Sequence, residues 1–226
     1  MIKLFFISAQ KETKMRLKYV FPLLATLLIA GPIRATANAE DKGVFQPMFN
    51  GRDLSGWMTT GNWMVEENGI VALHPRPGEQ GWQRYSAYLM SRRKYQDFVL
   101  DLEFRIGKGG NSGVFLRVGD PASPVDSGME VQILDIYGKQ RLTAHDCGGL
   151  IGAAVPAKNM ARPAGQWNRY VITCIGNTLK VDFNGTRVID LDLSHSAVKD
   201  RPRKGYLGFQ DEAKQVWYRN VRIKEL

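Results

Sequence analysis

Residues 98–106 alternate, with Phe98, Leu100, Leu102, Phe104 and Ile106 on one side and the charged Asp101, Glu103 and Arg105 on the other. A period of two sends successive side chains to opposite faces, so this run predicts a half-buried β-strand. Other runs of the same kind predict strands at 63–66, 70–73, 88–91, 112–118, 129–134, 168–175, 178–183, 187–190, 205–210 and 215–224. Turn-forming residues separate them, among them Gly109-Gly110-Asn111, Gly176-Asn177 and Asn184-Gly185, and the last predicts a hairpin between 178–183 and 186–190. No amphipathic helix of three turns is visible beyond residue 39. Many short strands with regular turns predict an all-β, two-sheet sandwich or jelly roll rather than a parallel α/β sheet. Three longer stretches, at 75–87, 119–128 and 135–166, predict loops, the usual carriers of binding residues on a rigid sandwich.

The first 39 residues follow a different pattern. Arg16 and Lys18 flank an apolar run from Tyr19 to Ile29, and Ala37-Asn38-Ala39 supplies small residues at cleavage positions. This arrangement predicts a secretory signal peptide over 1–39, with one domain over 40–226 exported to the periplasm or the medium. The run is shorter than the roughly 20 residues of a membrane-spanning helix, so no stable span is expected after cleavage. The leader also changes the charge. The chain carries +9, and residues 1–39 hold six basic side chains against Glu12, a net of +5, which leaves 9 − 5 = +4. Much of the basicity is therefore targeting sequence, and nucleic acid is not an expected partner. Cys147 and Cys174 could pair in an oxidising compartment or remain two buried thiols, and no Cys/His spacing fits structural zinc.

An ordered set of segments then points to a family. These are Phe-Asn-Gly-Arg-Asp-Leu-Ser-Gly-Trp at 49–57, Gly-Asn-Ser-Gly-Val-Phe-Leu-Arg at 110–117 and Gly-Met-Glu-Val-Gln-Ile-Leu-Asp at 128–135. They are followed by Ala144-His145 with its glycines, Gly-Gln-Trp-Asn at 165–168, Asn184-Gly185 and Tyr-Arg-Asn-Val-Arg-Ile at 218–223. Together they span about residues 45–226 and resemble the 3-keto-disaccharide hydrolase domain family. The resemblance implies a concanavalin A-like jelly roll of the lectin/glucanase type that cleaves glycosidic bonds in sugars oxidised at carbon 3. Two segments depart from the family pattern: 147–152 reads Cys-Gly-Gly-Leu-Ile-Gly, and 205–212 keeps Gln210 but lacks a following histidine.

A ketone at C3 acidifies the hydrogen on C2. Loss of that proton gives an enediolate that expels the glycosidic oxygen from C1 by β-elimination, and water then adds back. The route needs a base at C2, an electrophile at the C3 oxygen and an acid at the leaving oxygen, not the paired carboxylates of ordinary glycosidases. His145, in a glycine-rich loop, is the expected base because imidazole titrates near neutrality. Glu130 or Asp135 is the expected acid. Alternation places Phe115 and Arg117 on one face and Glu130 and Gln132 on one face, so Arg117, Gln132 and Gln210 are expected to bind the keto-sugar, with Val114, Leu116, Met129, Val131 and Ile133 in the core. Trp82 is the expected stacking residue, and Trp167 and Trp217 are assigned to structure. No cofactor is assigned, although Glu130, Asp135 and His145 are suitable in type for a divalent cation.

Two rivals share this surface. One is a non-catalytic carbohydrate-binding module. The other is an endoglucanase, against which stands Gln132 where the acid motif of jelly-roll glucanases would place its central carboxylate.

Overall fold

The computed structural model describes residues 43–226, and the leader expected over 1–39 lies outside them. Thirteen strands follow in chain order among the described residues: β1 (Gln46–Pro47), β2 (Trp57–Met58), β3 (Trp63–Val65), β4 (Val71–Leu73), β5 (Leu89–Tyr95), β6 (Phe98–Ile106), β7 (Asn111–Val118), β8 (Met129–Leu134), β9 (Asn168–Ile175), β10 (Thr178–Phe183), β11 (Thr186–Asp192), β12 (Gly205–Phe209) and β13 (Val216–Glu225). One short helix, α1 (Pro124–Ser127), lies within the 119–128 loop. No helix among the described residues is long and apolar enough to cross a membrane.

The strands form two antiparallel sheets. The larger has eight strands in the order β11-β10-β9-β6-β13-β4-β3, with β1 also on β13, and the smaller has five in the order β2-β5-β12-β7-β8. This is the expected all-β jelly-roll sandwich. The eleven anticipated strands are all present, and only the two-residue strands β1 and β2 escaped the pattern, being too short to show a period.

The main core lies between the sheets. Phe98, Leu100, Leu102, Phe104 and Ile106 of β6 meet Val114 and Leu116 of β7 and Met129, Val131 and Ile133 of β8, all of them buried. Phe104, Tyr170 and Phe183 pack ring against ring, with centroids 4.7 Å apart for the first pair and 4.9 Å for the second. A fully buried side chain of this size contributes about 1.5–3 kcal/mol. Cys147 and Cys174 are both buried within the core as free thiols, so the disulfide alternative does not hold.

Two local features position the site. The free edge of β8 is covered by the segment 148–151, where Gly148 N–H donates to Gln132 C=O, Gln132 N–H to Gly149 C=O and Ile151 N–H to Glu130 C=O, at 2.9, 2.9 and 3.0 Å. The second feature is a bulge in β7. Tyr206 pairs with Val118 and Gly208 with Phe115, so two steps on β12 face three on β7. The extra residue is absorbed at Leu116–Arg117, where Arg117 takes φ +50°. Val118 thereby rejoins the outer side of the sheet with Phe115, while Arg117 turns away from it.

Candidate active site

The outer face of the five-stranded sheet follows from strand parity. Asn111, Gly113 and Phe115 face outward on β7, Glu130 and Gln132 on β8, and Tyr206, Gly208 and Gln210 on and just past β12. Tyr88, Met90, Phe115 and Val118 form a second apolar cluster there, separate from the main core, with Met58, Tyr85, Val125 and Tyr206 packed against it. Beside that cluster lie the polar groups. Glu130, Gln132 and Gln210 are 8%, 7% and 5% exposed, and Tyr88 is fully buried.

These groups lack partners. Among the described residues, five buried side-chain atoms make no hydrogen bond: Tyr88 Oη, Asn111 Oδ1, Glu130 Oε1, Gln210 Oε1 and Arg105 Nε. All but Arg105 Nε belong to this one face. A buried polar atom without a partner costs about 1–3 kcal/mol, and native proteins carry few of them. The Tyr88 hydroxyl and the Gln210 amide lie side by side without forming a bond of proper geometry. Gln132 is partly satisfied, since its Oε1 accepts from Ile133 N–H at 3.0 Å.

Glu130 lies over Gly113. A Cβ at Gly113 would collide with the Glu130 carboxyl, so a glycine is needed at this position to admit the acid. Burial pushes the Glu130 carboxyl up to about 8, and the nearby Glu212 carboxylate adds to the effect. Glu130 is therefore neutral and able to donate near pH 7. Burial likewise raises the Tyr88 hydroxyl, with Glu212 and Glu130 contributing. Glu212 is half-buried, and burial followed by the Asp211 charge raises its carboxyl. No salt bridge among the described residues involves Glu130 or Glu212.

The other expected site residues are placed elsewhere. Arg117 is 1% exposed and does not share the face of Glu130. Its Nε donates to Gln96 C=O at 2.7 Å, Nη1 to Gly176 C=O at 2.9 Å and Nη2 to Asp97 Oδ1 at 3.0 Å, which ties the β5–β6 turn to the β9–β10 turn. The bulge is the physical reason, because an extra residue shifts every later side chain by half a period. Asp135 lies past the end of β8, where its Oδ2 accepts from Gly109 N–H at 2.9 Å and fastens the β6–β7 turn. His145 is exposed in a loop held by Asp146, which accepts from Thr143 N–H at 2.7 Å and Lys139 Nζ at 2.6 Å. Its ring makes no hydrogen bond among the described residues. The three residues suited by type to a divalent cation, Glu130, Asp135 and His145, are thus not gathered around one point, and no cluster of three such groups occurs among the described residues.

Trp82 is 55% exposed in the 75–87 loop, which lies against the end of β12. Neighbouring Gly81 sits so close to Glu212 that a Cβ there would strike the Glu212 main chain, and Arg84 reaches Asp211 at 3.4 Å. A cavity of about 430 Å³ opens between Gln83, Arg84, Tyr85, Ser86, Pro121 and Ala122. Tyr85 on its wall packs edge-on against Tyr88 at 5.7 Å.

Sequence reasoning missed Tyr88, Asn111 and Glu212. Tyr88 stands before its strand with no polar pattern around it, and Asn111 had been assigned to a turn. Glu212 was within reach, since 206, 208, 210 and 212 keep one parity.

The jelly-roll sandwich gathers buried polar groups without partners among the described residues beside an aromatic cluster on the outer face of one sheet, an arrangement suited to a carbohydrate ligand. Residues 44–224 match the model of the 3-keto-alpha-glucoside-1,2-lyase-like domain, and the chain belongs to that family. It is similar to a 3-keto-disaccharide hydrolase of Bacteroides thetaiotaomicron, with 23% identity covering 79% of this chain and 77% of the relative. In structure it resembles a Parabacteroides distasonis protein bearing a provisional glycosyl hydrolase name, at TM-score 0.68 and 23% identity over 80% of this chain and 94% of the other. It also shares its fold with the carbohydrate-binding module CBM66 of Bacillus subtilis, at TM-score 0.55 and 17% identity over 80% and 100% of the two chains.

Proposed function

We propose that the hollow on the five-stranded sheet cleaves the glycosidic bond of 3-keto-glycosides by abstraction of the C2 proton, β-elimination and rehydration, in a protein exported by the leader at 1–39. The observation that carries this reading is the gathering of partnerless, buried polar groups (Tyr88, Asn111, Glu130 and Gln210) on one face of a chain in this family. A sugar ring supplies the donors and acceptors that these atoms lack. Glu130, neutral near pH 7, suits the acid at the departing oxygen. Tyr88 and the amides of Gln132 and Gln210 suit the C3 oxygen and its neighbouring hydroxyls. Trp82 at the rim offers a ring face to the sugar, and the cavity beside Tyr85 offers room for the aglycone. Asp135, fastened to its turn, is left out of the chemistry.

The fold shared with CBM66 keeps a binding module as the second reading. Binding alone gains nothing from an acid held protonated in a buried position, which favours catalysis. Purified protein incubated with a 3-keto-glucoside should release free aglycone. Tight binding of the sugar with no release over hours would select the module.

A further inference from the structure

Elimination requires a base over C2, and the groups already placed on the face are neutral. We propose that Glu212 is that base and works opposite Glu130, the two carboxyl groups exchanging roles between the elimination and hydration halves of the reaction; this rests on the 3-keto-glycoside reading. Four observations support it. Gln210 continues the ladder of β12, its N–H donating to Gly113 C=O at 2.9 Å, so alternation carries Glu212 to the same outward side two residues later. The Glu212 charge helps to raise both the Tyr88 hydroxyl and the Glu130 carboxyl, which agrees with a place on their side of the sheet. Its own carboxylate has no hydrogen bond or ion pair among the described residues, whereas the adjacent Asp211 is held by Ala213 N–H at 2.8 Å and Arg84 at 3.4 Å. Finally, close contact with Gly81 fixes the Glu212 main chain, so the base is positioned by packing.

The unequal depth of the pair sets the roles. Glu130 is deeply buried and Glu212 only half so, and environments that push two carboxyls apart separate acid from base. In the first half, Glu212 takes the C2 proton, and the C2–H pair forms C2=C3 while the carbonyl pair moves onto oxygen, where Tyr88 donates to it. The enolate then re-forms C3=O and shifts the pair to C1=C2. The C1–O bond breaks, and the leaving oxygen takes the proton of Glu130. In the second half, ionised Glu130 accepts a proton from water as its oxygen joins C1, and Glu212 returns its proton to C2. Both residues end as they began, with no oxidant or reductant. His145, exposed and without a ring partner among the described residues, has no part in this scheme.

The two roles separate in heavy water with a 3-keto-glucoside as probe, with hydrogen exchange at C2 and aglycone release followed together. Wild type should show both. Glu130→Gln should keep exchange while release falls about a hundredfold, Glu212→Gln should lose both by about a hundredfold, and His145→Ala should stay within about twofold on both. Thermal melts of the variants, together with partial recovery in Glu212→Asp, separate loss of the base from loss of the fold. Exchange at the wild-type rate in folded Glu212→Gln overturns the assignment while leaving the proposed activity intact. Neither exchange nor release in wild type overturns the proposed activity itself, and the assignment with it.

Discussion

The outer faces of the two sheets handle buried charge in opposite ways. On the eight-stranded sheet, Asp101 accepts from Arg169 Nε and Nη2 at 2.8 Å each and from Arg222 Nε and Nη2 at 3.0 and 2.7 Å. Glu103 accepts from Arg219 and Asn220, both at 2.7 Å. The Arg105 guanidinium lies 4.3 Å from the Trp217 ring and 5.0 Å from that of Trp167, and Arg219 covers Trp167 at 4.1 Å. On the five-stranded sheet, Glu130, Gln210, Asn111 and Tyr88 have atoms with no partner among the described residues. The paired face holds the fold together, as charge-assisted bonds and cation–π contacts do. The unpaired face bears a cost that a bound polar molecule can remove.

This contrast predicts opposite responses to pH. The folded-state carboxyl of Glu130 is raised, so its favourable contribution is complete below about 4.5 and is lost as pH climbs through about 8. Asp101 behaves in reverse: burial opposes its charge, but the Arg169 and Arg222 hydrogen bonds outweigh that and lower its carboxyl. Its contribution is present above the ordinary Asp range and is lost as pH falls through the lowered value. Glu130→Gln should therefore gain stability over wild type between pH 4 and pH 9 by roughly 4 kcal/mol, read from denaturant melts at the two pH values. A variant that follows wild type across this range would show that Glu130 ionises freely.

Next in size, Gly113→Ala should push the Glu130 carboxyl aside, lowering aglycone release about a hundredfold with the far-ultraviolet dichroism unchanged. Asp101→Asn should do the opposite, costing about 2 kcal/mol of stability with turnover of the 3-keto-sugar unchanged. Loss of turnover there would mean the two faces are coupled. Trp82→Ala should have the mildest effect, raising KM for the sugar about tenfold with little change in kcat.

Much of this was readable before any coordinates. Alternation alone found the strands, the core of β6, β7 and β8, and the outward positions of Glu130, Gln132 and Gln210. It also set Trp167 and Trp217 apart as structural, and they clasp Arg105. What escaped has a common cause, since parity holds only along an unbroken ladder. Arg117 sits on the bulge, and Asp135 lies past the end of β8. His145 shows a different limit. A suitable pKa marks a residue type, whereas orientation depends on loop contacts that no local pattern encodes.

Under the proposed function, the extra residue at Leu116–Arg117 would also select among sugars. Because it sends the one arginine of β7 to bind main-chain carbonyls at the end of the sandwich, the floor beside Glu130 is left with acids, amides and a phenol. A glycoside bearing its own carboxylate, such as a uronide, would meet repulsion from Glu212, with Arg117 turned away and Arg84 already engaged by Asp211. Neutral hexoses would enter without that penalty, so under the proposed function one inserted residue in a strand would set the charge of the sugar that this face accepts.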